Sequence, residues 1–161
     1  MPLNINILII GYGAIGKKHA ITLEKIVPRK NIYILSSNKF HKYKTINSLN
    51  RSISDKFDYI IISSKTSDHI KHITLIDKIF LDKKVLIEKP VFNNLSKKNF
   101  KNNSYYVGYN LRYHPFFKYI KKEIFRKKIL NVNIKCFSNL LSWKKFNKNN
   151  NYNFSKEKGG G

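Results

Sequence analysis

Seven glycines occur in a chain of 161 residues, and three of them fall in one hexapeptide, Gly11-Tyr12-Gly13-Ala14-Ile15-Gly16. An apolar run, Ile5 to Ile10, leads into it and a helical pattern leads out. In such a strand–turn–helix setting the three glycines have separate tasks. Gly11 permits the tight turn, Gly13 lets backbone approach a pyrophosphate with no Cβ in the way, and Gly16 lets helix and strand pack closely. The helix N-terminus adds unpaired N–H groups and the positive end of the helix dipole, about 0.3–1 kcal/mol per charge. The chemistry implied is capture of a dinucleotide by residues 11–16, with Tyr12, Ala14 and Ile15 completing the cradle. A glycine turn that holds no ligand is the alternative.

An acid about 20 residues further on usually holds the ribose hydroxyls of NAD. Here that place reads Ser36-Ser37-Asn38-Lys39, and no Asp or Glu occurs between Glu24 and Asp55. The hydroxyls of Ser36 and Ser37 and the ammonium of Lys39 suit a 2′-phosphate better than an unmodified diol. The expected cofactor is therefore NAD(P), with a slight lean to NADP. With 28 lysines in the chain, Lys39 also has an ordinary explanation as one surface lysine among many.

The elements that must position these groups follow from periodicity. Ile5 to Ile10 is a near-continuous apolar run, the pattern of a strand buried on both faces. A helix is expected from about Ile15 to Val27, with Ile15, Leu23, Ile26 and Val27 toward one face and Pro28 as the stop. Strands are expected at Asn31 to Leu35, Tyr43 to Ile46, Phe57 to Ile62, Val85 to Ile87 and Tyr105 to Tyr109. Ser48 is a candidate cap for a brief helix after the third strand. Ile70, Ile73, Leu75, Ile76, Ile79 and Phe80 repeat at helical spacing behind a Thr66-Ser67-Asp68 cap candidate. Strands alternating with helices give an α/β class: a Rossmann-type, doubly wound parallel sheet. The Asn- and Lys-rich connection from Pro90 to Tyr105 leaves room only for a short or frayed helix. A Lys-rich helix from about Pro115 to Ile129 then leads to an alternating run, Val132, Ile134 and Cys136. That run is expected to open a second, half-exposed sheet over residues 131–138. The organisation expected is a dinucleotide-binding domain over 1–117 and an incomplete start of an α+β substrate domain over 118–161.

The charge, 32 Lys and Arg against 9 Asp and Glu, is +23. Such a balance ordinarily suggests nucleic acid or an anionic surface. Yet only 4 of the 32 cations are Arg, the residue that reads guanine and phosphate bidentately, and 20 Asn accompany just 2 Ala. The pattern is that of an AT-rich gene, and the lysines run along the whole chain, so no specific nucleic-acid partner is expected. The longest apolar runs fall far short of the roughly 18 residues of a membrane span, and nothing resembles a signal peptide. A single cysteine, Cys136, excludes a disulfide framework. These features together give an expected cytoplasmic location.

Four features taken in order carry a resemblance: GYGAIG with His19 after Lys17-Lys18; Glu88-Lys89-Pro90 closing a strand; Gly108-Tyr109-Asn110-Leu111-Arg112-Tyr113-His114-Pro115; and the final Lys158-Gly159-Gly160-Gly161. The set resembles the glucose–fructose oxidoreductase / inositol dehydrogenase (Gfo/Idh/MocA) family of NAD(P)-dependent oxidoreductases, especially members acting on sugars or sugar derivatives. The resemblance implies a Rossmann domain followed by a domain on a large, mostly antiparallel sheet, with the active site between them. It implies that Lys89 reaches the substrate hydroxyl as the catalytic proton-transfer group, with Pro90 fixing its loop. A carbinol carbon releases hydride most easily as its hydroxyl loses a proton, which is the use of a positioned amine. It further implies that Glu88 orients groups near the cofactor and that Asn110 and Arg112 line the cleft. The loop Ser63–Asp68, with Ser63, Ser64 and His69, borders the nicotinamide side by the same resemblance. Structural readings stand beside these: Asn110 satisfying loop backbone, Arg112 pairing an acid, His114 capping a helix. His69 and His72, three residues apart, have no further ligand cluster at metal spacing, so no metal is expected.

The resemblance also marks what these residues lack. Relatives are longer, and their glycine run introduces a helix whose Asp and His complete the catalytic set with the lysine. The chain is thus expected to be the cofactor-binding part of an oxidoreductase, a truncated product or one piece of a split enzyme with its C-terminal half on a separate chain. Two other readings stay open: a non-catalytic remnant, and a basic polyanion- or nucleic-acid-binding protein.

Overall fold

The computed structural model describes residues 3–36, 38, 42–93 and 98–137. Six strands form one parallel sheet: β1 (Ile7–Ile10), β2 (Ile32–Leu35), β3 (Lys44–Ile46), β4 (Tyr59–Ile62), β5 (Lys84–Ile87) and β6 (Ser104–Val107). Their spatial order is β3-β2-β1-β4-β5-β6. Three helices join or follow them, α1 (Ala14–Leu23), α2 (Thr66–Ile79) and α3 (Pro115–Ile124). This is the doubly wound Rossmann arrangement, in which the winding direction reverses between β1 and β4.

The four-residue run of β1 is buried throughout because it is covered twice. Ile7 and Ile9 join Ile32, Ile34 and Ile61 beneath Ala20 of α1. Leu8 and Ile10 join Tyr33, Ile60, Ile62, Val85 and Ile87 beneath Ile73 and Ile76 of α2. The register then does what function requires. Ile10 pairs with Leu35 and Ile62, Leu35 with Ile46, Ile62 with Ile87, and Ile87 with Val107. Every strand therefore ends on one line, and the turns that follow them share one rim.

Several local expectations need correction. α1 ends at Leu23, and Ile15 and Ile26 are exposed; Gly16 and Ala20 face the sheet, since a helix packed this closely admits only small residues. Thr66, Ser67 and Asp68 are the opening turn of α2 and do not cap it: the cap position is Lys65, with no side-chain bond. Ser48 caps nothing either, because the turn that follows is a 3-10 segment over Arg51–Lys56 with Asn50 before it. The described residues between β5 and β6 hold no helix; Val91, Phe92 and Phe100 pack there directly on the core. Asp77 secures that connection, accepting from the Asn102 N–H at 3.1 Å and the Tyr105 hydroxyl at 2.7 Å.

α3 is shorter than expected and stops at Ile124. His114 caps it, its Nδ1 accepting from the Phe116 N–H at 3.2 Å. The strand expected over 131–138 is not formed over 131–137, and Ser138 lies outside the described residues. A lone strand has no neighbour for its N–H and C=O groups; here Val132 and Ile134 are exposed. No helix among the described residues is long and apolar enough to cross a membrane.

Candidate functional site

The rim begins with the glycine turn. Gly11 sits at φ +92°, and a Cβ there would lie 2.5 Å from the backbone of Ser64, so any side chain is excluded twice over. A Cβ on Gly16 would lie 2.0 Å from the Gly11 carbonyl oxygen, which is the close helix–strand contact. Gly13 differs: its φ of −76° suits any residue, and nothing lies within 4 Å of where its Cβ would stand. Nothing inside the fold requires glycine at 13. The open space faces the first turn of α1, where N–H groups lack helical partners. A cradle that a Cβ would partly fill fits a bound pyrophosphate.

Ser63 and Ser64 meet this turn from β4. The Ser63 hydroxyl donates to the Gly11 carbonyl at 2.8 Å, and its N–H donates to the Ile10 carbonyl at 2.8 Å. The Ser64 hydroxyl pairs with Nδ1 of His72 at 2.9 Å, and burial pushes the His72 ring below its ordinary value. His69 borders the Ser63–Asp68 loop through the Ser64 carbonyl. It is buried, with Nδ1 3.1 Å from the Val91 carbonyl and Nε2 3.1 Å from the Ser64 carbonyl. Its ring ties two rim loops together from beneath and has no face on the cleft. Among the described residues no group of three or more potential metal ligands gathers.

Beside the glycine turn, Tyr12 meets Tyr43 edge-on with ring centroids 5.8 Å apart, and the Lys17 ammonium lies 5.8 Å from the Tyr12 centroid. At the end of β2, Ser36 donates its N–H to Ile46, and its hydroxyl accepts from the Asn38 N–H at 3.0 Å, closing its own turn. Ser37 and Lys39 lie outside the described residues.

From β5 come Glu88 and Lys89. Glu88 is half-buried and pairs through Oε1 with Nε2 of His19 at 2.8 Å. The His19 hydrogen bond, the largest influence, holds the Glu88 carboxyl below its usual range against the opposing effect of burial. Lys89 is exposed, and the Lys89–Pro90 peptide bond is cis. From β6 come Asn110 and Arg112, both exposed in the 3-10 turn Asn110–Tyr113. Asn110 gives its N–H to the Gly108 carbonyl at 3.0 Å. Arg112 enters no ion pair among the described residues.

The fold thus gathers on one rim the glycine turn, Ser36, Ser63, Ser64, Glu88, Lys89, Asn110 and Arg112. Comparison with known families gives a match over residues 5–99 to the family described as "Oxidoreductase family, NAD-binding Rossmann fold", Gfo/Idh/MocA. That stretch holds both the glycine turn and Glu88-Lys89-Pro90. The chain belongs to the Gfo/Idh/MocA family. Its described core is that family's NAD-binding Rossmann domain.

Solved structures agree with the family fold. A UDP-N-acetylglucosamine 3-dehydrogenase from Acidithiobacillus ferrooxidans superposes with a TM-score of 0.59 at 18% identity, over 76% of this chain and 44% of that one. A probable dehydrogenase from Thermotoga maritima gives 0.58 at 25% identity, over 74% and 40%. A scyllo-inositol dehydrogenase from Lactobacillus casei, solved with NAD(H) and scyllo-inositol bound, gives 0.57 at 19% identity, over 76% and 41%. The chain therefore aligns with less than half the length of these structures. No curated protein matches in sequence.

The sequence does not show one pairing beside the rim, that of His19 with Glu88. His19 was legible as part of the motif, but its partner 69 residues away was not. The only local signal is its place three residues after Gly16, which puts both on the same side of α1.

Proposed function

We propose that this chain binds NAD(P) in the glycine turn and contributes the cofactor half of an oxidoreductase acting at a CH–OH carbon of a sugar or sugar derivative. The observation that carries the reading is the contrast among the three glycines. Gly11 and Gly16 are demanded by the fold, whereas a Cβ at Gly13 would meet no described atom, so that glycine leaves room for a ligand's approach. Residues 11–16 would hold the pyrophosphate against the first turn of α1. Tyr12 lies toward the adenosine side, and Ser63 and Ser64 lie beneath the turn.

The nicotinamide group supplies hydride acceptance and return when bound. Lys89, at the carboxyl end of β5 and open to the cleft, takes the proton from the substrate hydroxyl. Asn110 and Arg112 stand across the rim to orient what enters. The absence of an acid between Glu24 and Asp55, with Ser36, Ser37 and Lys39 at the end of β2, supports a lean to NADP. The domain would span 1–117, with 118–161 leading toward the substrate domain. The chain covers 44% or less of these solved relatives, and in this reading a C-terminal half completes the cleft. A cytoplasmic setting fits the cofactor and the single cysteine.

Titration with NADPH and with NADH, followed by melting temperature, tests the reading. A ligand at 100 times its Kd stabilises the fold by about 2.7 kcal/mol. A rise with both cofactors, larger for NADPH, is expected; no rise at millimolar concentration of either would remove the cofactor reading.

A further inference from the structure

Glu88 is held from four directions. Its own N–H donates to the Ile62 carbonyl of β4 at 2.9 Å. Its Oε1 meets Nε2 of His19 on α1 at 2.8 Å. Its Oε2 faces the Lys89 N–H at 3.4 Å. Beside it lies Gly108 at the end of β6, where a Cβ would come within 3.2 Å of Oε1. The carboxylate therefore joins the helix that opens on the glycine turn to the backbone that carries Lys89. Both members are largely covered, with side-chain exposures of 24% for His19 and 18% for Glu88. An exposed ion pair contributes little; a charge-assisted bond in a partly desolvated place contributes more and fixes geometry.

We propose that His19 and Glu88 are positioning residues that hold α1 and the Lys89 segment at one spacing, so that a cofactor gripped by the first meets the amine carried by the second. The proposal rests on the cofactor reading above. In this arrangement His19 occupies the carboxylate and leaves the Lys89 side chain free for the cleft. Without His19 the carboxylate is open to the neighbouring Lys89, whose charge already acts on it, and a new ion pair there would draw the amine from the cleft. Among the described residues His19 and Lys89 are the groups whose charge acts on Glu88; β4 offers a carbonyl and the end of β6 a glycine.

The test uses the 161-residue chain, calorimetric titration with NAD+ from pH 4 to 8, and apo melting temperatures. At pH 7, His19→Ala is expected to weaken NAD+ binding roughly tenfold or more, the equivalent of one lost charged hydrogen bond. His19→Gln, whose amide N–H can still donate to Oε1, should recover most of that loss. Glu88→Gln should bind weakly at every pH, and the double variant no worse than Glu88→Gln alone, because coupled partners are not additive.

The pH profile separates positioning from simple bracing. In the wild type, Glu88 is held ionised below its ordinary range, so affinity declines only at the acid end. In His19→Gln the imidazole, the largest influence on the Glu88 carboxyl, is gone, and the decline should move up into the ordinary carboxylate range. Wild-type affinity in the single variants with additive effects, or an unmoved acid limb in His19→Gln, would overturn the proposal while leaving the cofactor reading intact. Failure of every variant to fold would reduce the couple to a stability element and overturn it as well. A wild-type chain that does not bind NAD+ would remove both readings.

Discussion

The hydroxyl of Ser63 donates to the carbonyl of Gly11 at 2.8 Å, joining the first residue after β4 to the first residue after β1 across 52 positions of sequence. These two strands flank the point where the winding of the sheet reverses, the place where α/β folds leave a crevice for ligands. The bond fixes the carbonyl whose oxygen also lies against Gly16. It braces the cradle from behind without occupying it. Ser63→Ala should cost about 1 kcal/mol of stability and loosen the turn, lowering cofactor affinity several-fold. Paired denaturation and binding measurements check this; unchanged affinity would detach the bond from the cradle.

Gly13 and Gly16 should respond in opposite ways to one added methyl. Gly16→Ala drives a Cβ to 2.0 Å from a backbone oxygen, a contact no rotamer relieves, so the apo fold itself should lose several kcal/mol. Gly13→Leu meets open space and an ordinary φ, so its apo melting point should stay close to the wild-type value while the cofactor-induced rise disappears. A Gly13 variant that still shows the full rise would contradict the proposed seat of the pyrophosphate.

His69 gives a purely structural prediction. Its two ring nitrogens face the Ser64 and Val91 carbonyls, and the ring is 1% exposed. His69→Ala removes the ring N–H from between these two carbonyls and opens a void, costing about 1–3 kcal/mol. Urea denaturation measures it; a change within about 0.5 kcal/mol would place it among ordinary surface substitutions.

Glu24 carries a pH dependence at the C-terminal end of α1. It accepts from the Tyr43 hydroxyl, from Lys42 at 2.9 Å and from Arg29 at 3.2 Å. The Tyr43 bond, followed by that of Lys42, lowers its pKa from 4.5 to about 2. A carboxyl whose folded pKa lies below its unfolded one stabilises the fold above the unfolded value, and that contribution disappears as pH falls from 4.5 toward 2. Wild type should therefore melt above Glu24→Gln at neutral pH, with the two curves converging near pH 2. Parallel curves across that window would exclude the linkage. Tyr43 shifts in the matching direction, upward, through burial and then its bond to Glu24.

How far sequence carries depends on whether a feature is local. The glycine turn was legible because its requirements lie within six residues. β1 and β4 were legible because a strand covered on both faces must be apolar at every position. α2 was legible from its period, but its start was not: Thr66, Ser67 and Asp68 have the composition of a cap, and only the path of the chain out of β4 decides that Lys65 holds that position. The expected strand over 131–138 failed for a related reason. Alternation describes a surface with one wet face, but a strand exists only against a neighbour, and residues 131–137 have none among the described residues.

The sequence by itself determined the alternating α/β order, the phosphate turn and the family, since each is written in short-range spacing. The tertiary structure alone decided that six strand ends share one rim, that Ser63 and His69 brace the loops of that rim, and that His19 meets Glu88. Those facts depend on register between strands and on which side of the sheet each helix covers. Register is set by packing among residues tens of positions apart, and no window of sequence contains both partners.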